Sequence, residues 1–130
     1  MFTTLTDTTK TTPYAALLLR LTLGTALVAH GLLKVLVFTV PGTVAFFDSI
    51  GYPGVLAYLV IAAELGGGAA LIAGIYVRPI ALALVPILIG ATLQHAGNGW
   101  LFTNEGGGYE FPLFWTATLV VQALLGAGAY

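Results

Sequence analysis

Residues 53–76, PGVLAYLVIAAELGGGAALIAGIY, carry a single charged side chain, Glu64, in an otherwise apolar run. A helix needs about 20 mostly apolar residues, each rising ~1.5 Å, to cross the hydrocarbon core of a bilayer. This run has that length, and Pro53–Gly54 is a helix-start signal. It reads as a membrane span. Toward the N-terminus lies a second such run, about 14–38, opened by Pro13 and ended by Pro41–Gly42. Between the two, Val44 to Ile50 reads as a short amphipathic helix at the interface, with Phe46 and Phe47 in the lipid boundary. Toward the C-terminus a third span reads from Pro79 to about His95, kinked by Pro86. A polar, Gly-rich loop, 96–109, precedes a fourth span, 111–129. The tight link at Val77–Arg78 makes spans two and three an antiparallel hairpin.

Composition supports this reading. Of 130 residues, 58% are hydrophobic and 7% charged, too few charges to solvate the surface of a small water-soluble domain. The expected fold is therefore all-α: an integral membrane four-helix bundle in one domain, 14–130. A polar, Thr-rich segment, 1–13, precedes it. The apolar stretch from Tyr14 is too long for an ordinary signal h-region and reads as a retained helix. The net charge of -1 and the lack of a basic tract argue against nucleic acid as a partner. With no cysteine, disulfides, iron–sulfur clusters, thiolate zinc and CxxCH haem attachment are excluded. No glycine fingerprint follows a strand, so no dinucleotide or flavin site is evident. Lys10 and Arg78 flank the end shared by both termini, whereas Asp48, Glu105 and Glu110 fall in the opposite loops. The positive-inside rule then puts both termini in the cytoplasm and the chain in the cell (inner) membrane.

Ionisable groups within the spans cost about 2.5–3.5 kcal/mol each on insertion scales, so they single out functional candidates. At about 100° per residue, Arg20, Gly24, Leu27, His30, Gly31 and Lys34 share one face of span one. Ala57, Glu64, Gly68 and Leu71 share a face of span two, and Phe111, Trp115, Thr118, Gln122 and Gly126 one of span four. Glu64, near the middle of its span, must be protonated or paired. Arg20 is the expected partner, because a guanidinium fork suits a carboxylate; such a pair can be an interhelical fastener without chemistry. The outer half gathers His30, Lys34, Gln94, His95, Asn98, Trp100, Asn104, Tyr109 and Glu110. A copper or zinc site using His30, His95 and Glu110 is a weak alternative, and the offset between the histidines disfavours haem. No metal is expected.

These motifs resemble the DoxX family. The resemblance rests on Leu19-Arg20-Leu21, His30-Gly31 and Lys34 on span one, and on Ala45-Phe46-Phe47 ahead of Gly51-Tyr52-Pro53. It continues in Ala63-Glu64-Leu65-Gly66-Gly67-Gly68, Arg78, His95, Asn98-Gly99 and Gly107-Gly108-Tyr109-Glu110-Phe111-Pro112-Leu113. It covers about residues 14–128. The resemblance implies a four-helix membrane bundle and a quinone-linked redox setting, since the family takes its name from a subunit linked to thiosulfate:quinone oxidoreduction.

A quinone pocket wants a flat apolar slot, donors at the carbonyl oxygens and a proton route. His30, Lys34 and His95 are the candidate donors, and Glu110 or Glu64 the proton carriers. Trp100, Phe102, Tyr109 and Trp115 are the candidate slot walls. The chain lacks an electron carrier of its own, so a redox partner would have to bring electrons. The leading expectation is a small membrane subunit of a quinone-linked oxidoreductase system, working at its non-cytoplasmic half. Two other readings stay open: an accessory structural subunit of a larger membrane complex, and a homo-oligomeric small-molecule transporter.

Overall fold

The computed structural model describes residues 7–130. The chain is all-α among these residues. Helix α1 (Thr8–Leu32) continues through a π-helical turn (Leu33–Val37) and is followed by the short α2 (Val40–Ser49). Then come α3 (Val55–Ala73), α4 (Val77–His95), a 3-10 turn (Ala96–Asn98) and α5 (Glu110–Leu125). Three stretches, Thr8–Val37, Val55–Ala73 and Val77–Asn98, are long and apolar enough to cross a membrane. α5 is apolar but has 16 residues, about 24 Å at ~1.5 Å per residue. The chain is a membrane protein built as a helical bundle.

The bundle runs up, down, up, down. α1 lies antiparallel to α3, and α4 to α5, as two closely packed pairs set side by side. Glycine sets the first pairing. A Cβ on Gly24 would lie 2.7 Å from the Gly68 carbonyl oxygen, and one on Gly68 would lie 2.8 Å from that of Gly24. The two backbones therefore touch where neither residue carries a side chain, the usual device for close helix approach in lipid. Between the pairs, Leu23, Leu27, Leu71, Leu84, Leu88, Trp115 and Leu119 form the core. α3 ends in a Schellman motif: Gly74, at φ 79°, donates to Leu71, and Ile75 donates to Ala70 at 2.9 Å.

Several expected boundaries move. α1 begins at Thr8 rather than Tyr14, because the Asp7 side chain caps it through the Thr9 amide at 3.0 Å. The Thr-rich segment is thus helical from Thr8 on, while residues 1–6 lie outside the described residues. Pro41–Gly42 does not end span one. The helix closes at Val37, and Pro41 sits in the first turn of α2, capped by the Thr39 hydroxyl. The interfacial helix accordingly starts at Val40, not Val44. The α3–α4 link is Gly74–Tyr76, with Val77 and Arg78 already helical. α4 runs without a break through Pro86.

Span four stops at Leu125, not Ala129, because Gly126 takes φ 79° and turns the chain. Residues 126–130 form an irregular strap across the base of the bundle. Gln122 Nε2 donates to Ala16 and to Gly126, Arg20 Nη1 to Ala127 at 3.0 Å, and the Ala129 amide to Pro13 at 2.9 Å.

Candidate functional site

The intramembrane carboxylate does not pair with Arg20. Lys34 Nζ lies 2.8 Å from Glu64 Oε1, and this is the one ion pair among the described residues. Glu64 is buried and Lys34 half-buried. The correction has a geometric cause. Helical side chains lean toward the N-terminus of their own helix. In an antiparallel pair, Lys34 on α1 leans inward and Glu64 on α3 leans outward, so they converge. Arg20 leans toward the base as Lys34 does, but from a position already on the base side of Glu64, so its lean carries it away from the carboxylate to pack on Gly74 and hold the strap. Arg20 is 2% exposed, so its guanidinium serves as a buried bracket for a backbone carbonyl.

The half of the bundle remote from the two termini carries a chain of aromatic contacts. His30 of α1 meets Trp115 of α5 edge-on, with ring centroids 4.6 Å apart, and lies 6.4 Å from Phe111. Phe111 contacts Trp115 at 5.6 Å and Phe102 at 5.5 Å. Separately, Trp100 packs on Tyr109 at 5.3 Å. His30 Nδ1 donates to the Ala26 carbonyl at 2.8 Å. A carbonyl only accepts, so Nδ1 carries a proton, and Nε2 is the ring nitrogen left without a partner. His95 is held the same way by Ala91.

Two cavities flank this chain. The larger, about 400 Å³ and open to the side, is lined by Trp100, Glu110, Phe111, Leu113, Phe114 and Ala117. The smaller, about 110 Å³, lies between α1 and α5 against Thr22, Leu23, Ala26, Phe111, Phe114, Trp115 and Thr118. Phe111 and Phe114 belong to both and form the partition between them. In the smaller cavity the hydroxyls of Thr22 and Thr118 are spent on the carbonyls of Leu18 and Trp115. The Trp115 indole N–H, in contrast, is buried without an acceptor, which leaves a donor's desolvation uncompensated.

The loop before α5 is braced as a unit. The Tyr109 amide donates to Gly99 and the Glu110 amide to Trp100. Asn98 Nδ2 donates to Gly107, and Asn104 Nδ2 to Asn98. Glu110 Oε1 accepts the Phe102 amide at 3.2 Å. Glu110 thus fixes the loop that carries Trp100 to the groove and Phe102 to Phe111.

The structure therefore brings together His30, Trp115 and Phe111 on one side, and Trp100, Glu110 and Phe114 on the other. It does not bring His95 to His30: His95 sits under Gly107 instead. Nor does Tyr109 line either cavity; it buttresses Trp100. Among the described residues no three His, Asp or Glu side chains group closely enough to hold a metal ion, so the His30–His95–Glu110 arrangement is not formed. Phe114, Thr22 and Ala26 went unread in the sequence. Phe114 had a usable signal, since Glu110, Phe114 and Ala117 recur at helical spacing on one face of α5.

Comparison with known proteins places this geometry in context. The DoxX family profile matches residues 15–97. A Bacillus subtilis (strain 168) protein named "Putative oxidoreductase CatD" is 37% identical over 84 residues, 65% of this chain and 61% of that protein. The match thus spans less than two thirds of the relative's length. No solved structure matches the chain.

Proposed function

Because this chain belongs to the DoxX family, we propose that it is a small membrane subunit of a quinone-linked redox system, binding the quinone head between α1 and α5 in the outer half. The observation that carries this reading is the unpartnered, buried N–H of Trp115, a residue whose ring lines an aromatic cavity beside His30. An apolar slot with one unspent donor suits a flat ring bearing a carbonyl oxygen. The name of the B. subtilis relative is consistent with redox work.

Reduction of a quinone takes two electrons and two protons. Phe111 and Phe114 flank the ring, and Trp115 donates to a carbonyl oxygen. His30 Nε2, free of other partners, exchanges one proton with that oxygen, and the second proton, at the opposite oxygen, is exchanged with water. The buried Lys34–Glu64 pair is held apart from this chemistry as the fastener of α1 to α3. Electrons come from a partner protein docking at the outer half. Both termini face the cytoplasm in this reading, with Lys10 and Arg78 on that side of the cell membrane.

A second reading is favoured by one feature of α3. Ala62, Gly66, Ala69 and Ala73 are all exposed on the face opposite the core, and a Cβ on Gly66 would meet nothing within 4 Å. Small residues facing lipid suit a neighbouring transmembrane helix, as an accessory subunit of a larger complex would require. Gentle purification at native expression, followed by mass spectrometry of co-purifying lipids and proteins, separates the two. Stoichiometric quinone with a redox enzyme supports the first reading. Larger membrane subunits without quinone overturn it in favour of the second.

A further inference from the structure

The larger groove differs from the slot beside Trp115 in what it offers a ligand. Its one charged group is Glu110, at the start of α5, and the rest of its wall is Trp100, Phe111, Leu113, Phe114 and Ala117. Leu113, Phe114 and Ala117 are exposed on the outer face of the bundle, so the groove opens toward lipid rather than toward the core. A ligand reaching it comes sideways from the bilayer, with a long apolar portion along Leu113 and Ala117 and a head at Glu110.

The head can be specified by hydrogen-bond chemistry. Glu110 Oε1 accepts the Phe102 amide. An ionised carboxylate has about four lone-pair sites and no proton to donate, and the positive end of the helix dipole at the first turn favours that negative charge. The groove therefore presents an acceptor, whereas the slot beside Trp115 is walled by apolar surface with the buried indole N–H next to it. A quinone head has only acceptor oxygens; its reduced form carries two phenolic hydroxyls, which donate.

We infer that the Glu110 groove is a lipid-side binding site selective for the reduced, hydroxyl-bearing form of a tailed quinone, separate from the apolar slot behind Phe111 and Phe114. This rests on the quinone-linked reading above. It assigns Glu110 a binding role, accepting from the hydroxyl through its uncommitted lone pairs while Oε1 keeps the loop in place. Hydroxyl donation to a carboxylate is among the stronger hydrogen bonds, whereas a carbonyl oxygen facing the same carboxylate is repelled.

The test uses the full chain in lipid nanodiscs under anaerobic conditions. Binding of a decyl-tailed benzoquinol and of the matching quinone is followed by tryptophan fluorescence and by equilibrium dialysis. For the native protein the quinol is expected to bind at least about tenfold more tightly. Glu110→Gln, whose amide both donates and accepts, is expected to reduce that ratio to near unity. Since Glu110 also braces the loop, Ala117→Trp serves as a second variant. It fills the groove without touching the carboxylate, and should remove quinol binding while leaving quinone binding intact. Equal binding of both forms by the native protein, or a ratio unchanged in Glu110→Gln, overturns the selectivity and leaves the quinone-linked reading standing. Binding of neither form overturns that reading as well.

Discussion

A lysine rooted at the outer end of α1 meets a glutamate rooted deeper in α3 because each side chain leans toward its own N-terminus. Removing one partner strands the other in a poorly solvated place. Lys34 keeps some access to the outer boundary, so the cost falls at or below the usual range for a broken buried pair. Glu64→Gln is expected to lower stability by about 2–3 kcal/mol in detergent unfolding. Adding Lys34→Met to that variant should restore part of the loss. A double variant no more stable than Glu64→Gln alone would show that the 2.8 Å contact does not fasten the helices. That Glu64 needed a partner was legible in the sequence, from its place in an apolar run. Which cation it took was not: guanidinium chemistry pointed to Arg20, and only the antiparallel register with its lean brings Lys34 to the carboxylate. His30 was legible as outward-half and bundle-facing, yet its aromatic neighbours depend on how α5 is rotated. His30→Phe should preserve folding, because it keeps the ring contacts with Phe111 and Trp115, and should weaken quinone binding several-fold. Unchanged binding would remove His30 from the site.

At the scale of elements, α1 and α3 are joined by an exchange of close backbone approaches at Gly24 and Gly68. Gly24→Ala is expected to cost about 1–3 kcal/mol, as overpacking does. Gly66→Ala, with open space around it, should be neutral or gain up to about 1 kcal/mol from helix propensity. Thermal unfolding of the two variants side by side checks the contrast; equal effects would contradict the α1–α3 register. Hydropathy made the spans themselves legible, since lipid leaves little choice for a run such as 53–76. Their ends were harder to read. Asp7 caps a helix through threonines that look poorly suited to one, and Thr39 starts α2 ahead of Pro41 where proline alone suggested a stop. Gly126 ends α5 early because its positive φ, not any loss of hydrophobicity, turns the chain.

Across the whole molecule the two ends of the bundle have different tasks. The base is closed by the strap, whose carbonyls and amides are taken up by Arg20, Gln122 and Pro13. Gly128 sits at φ 75° with its Cα against Pro13 and Ala16, where no Cβ fits. Gly128→Val should release the strap, seen as faster proteolysis near the C-terminus, and leave ligand binding at the end opposite the strap unchanged. The opposite end, by contrast, keeps an open groove, a half-buried histidine and an indole donor without a partner. The fold was legible at this scale and the positions of Trp100, Glu110 and Trp115 at one end followed from it. Their division between two cavities did not, because it depends on Phe111 and Phe114 standing between them.

The most direct measurement is photo-crosslinking of the protein, in native membranes, with a tailed quinone bearing a light-activated group on its ring. The account predicts adducts on the peptide containing Phe111, Phe114 and Trp115, lost when an excess of unlabelled quinone competes. Adducts confined to the base of the bundle, or to the exposed face of α3, or undiminished by competition, would contradict it.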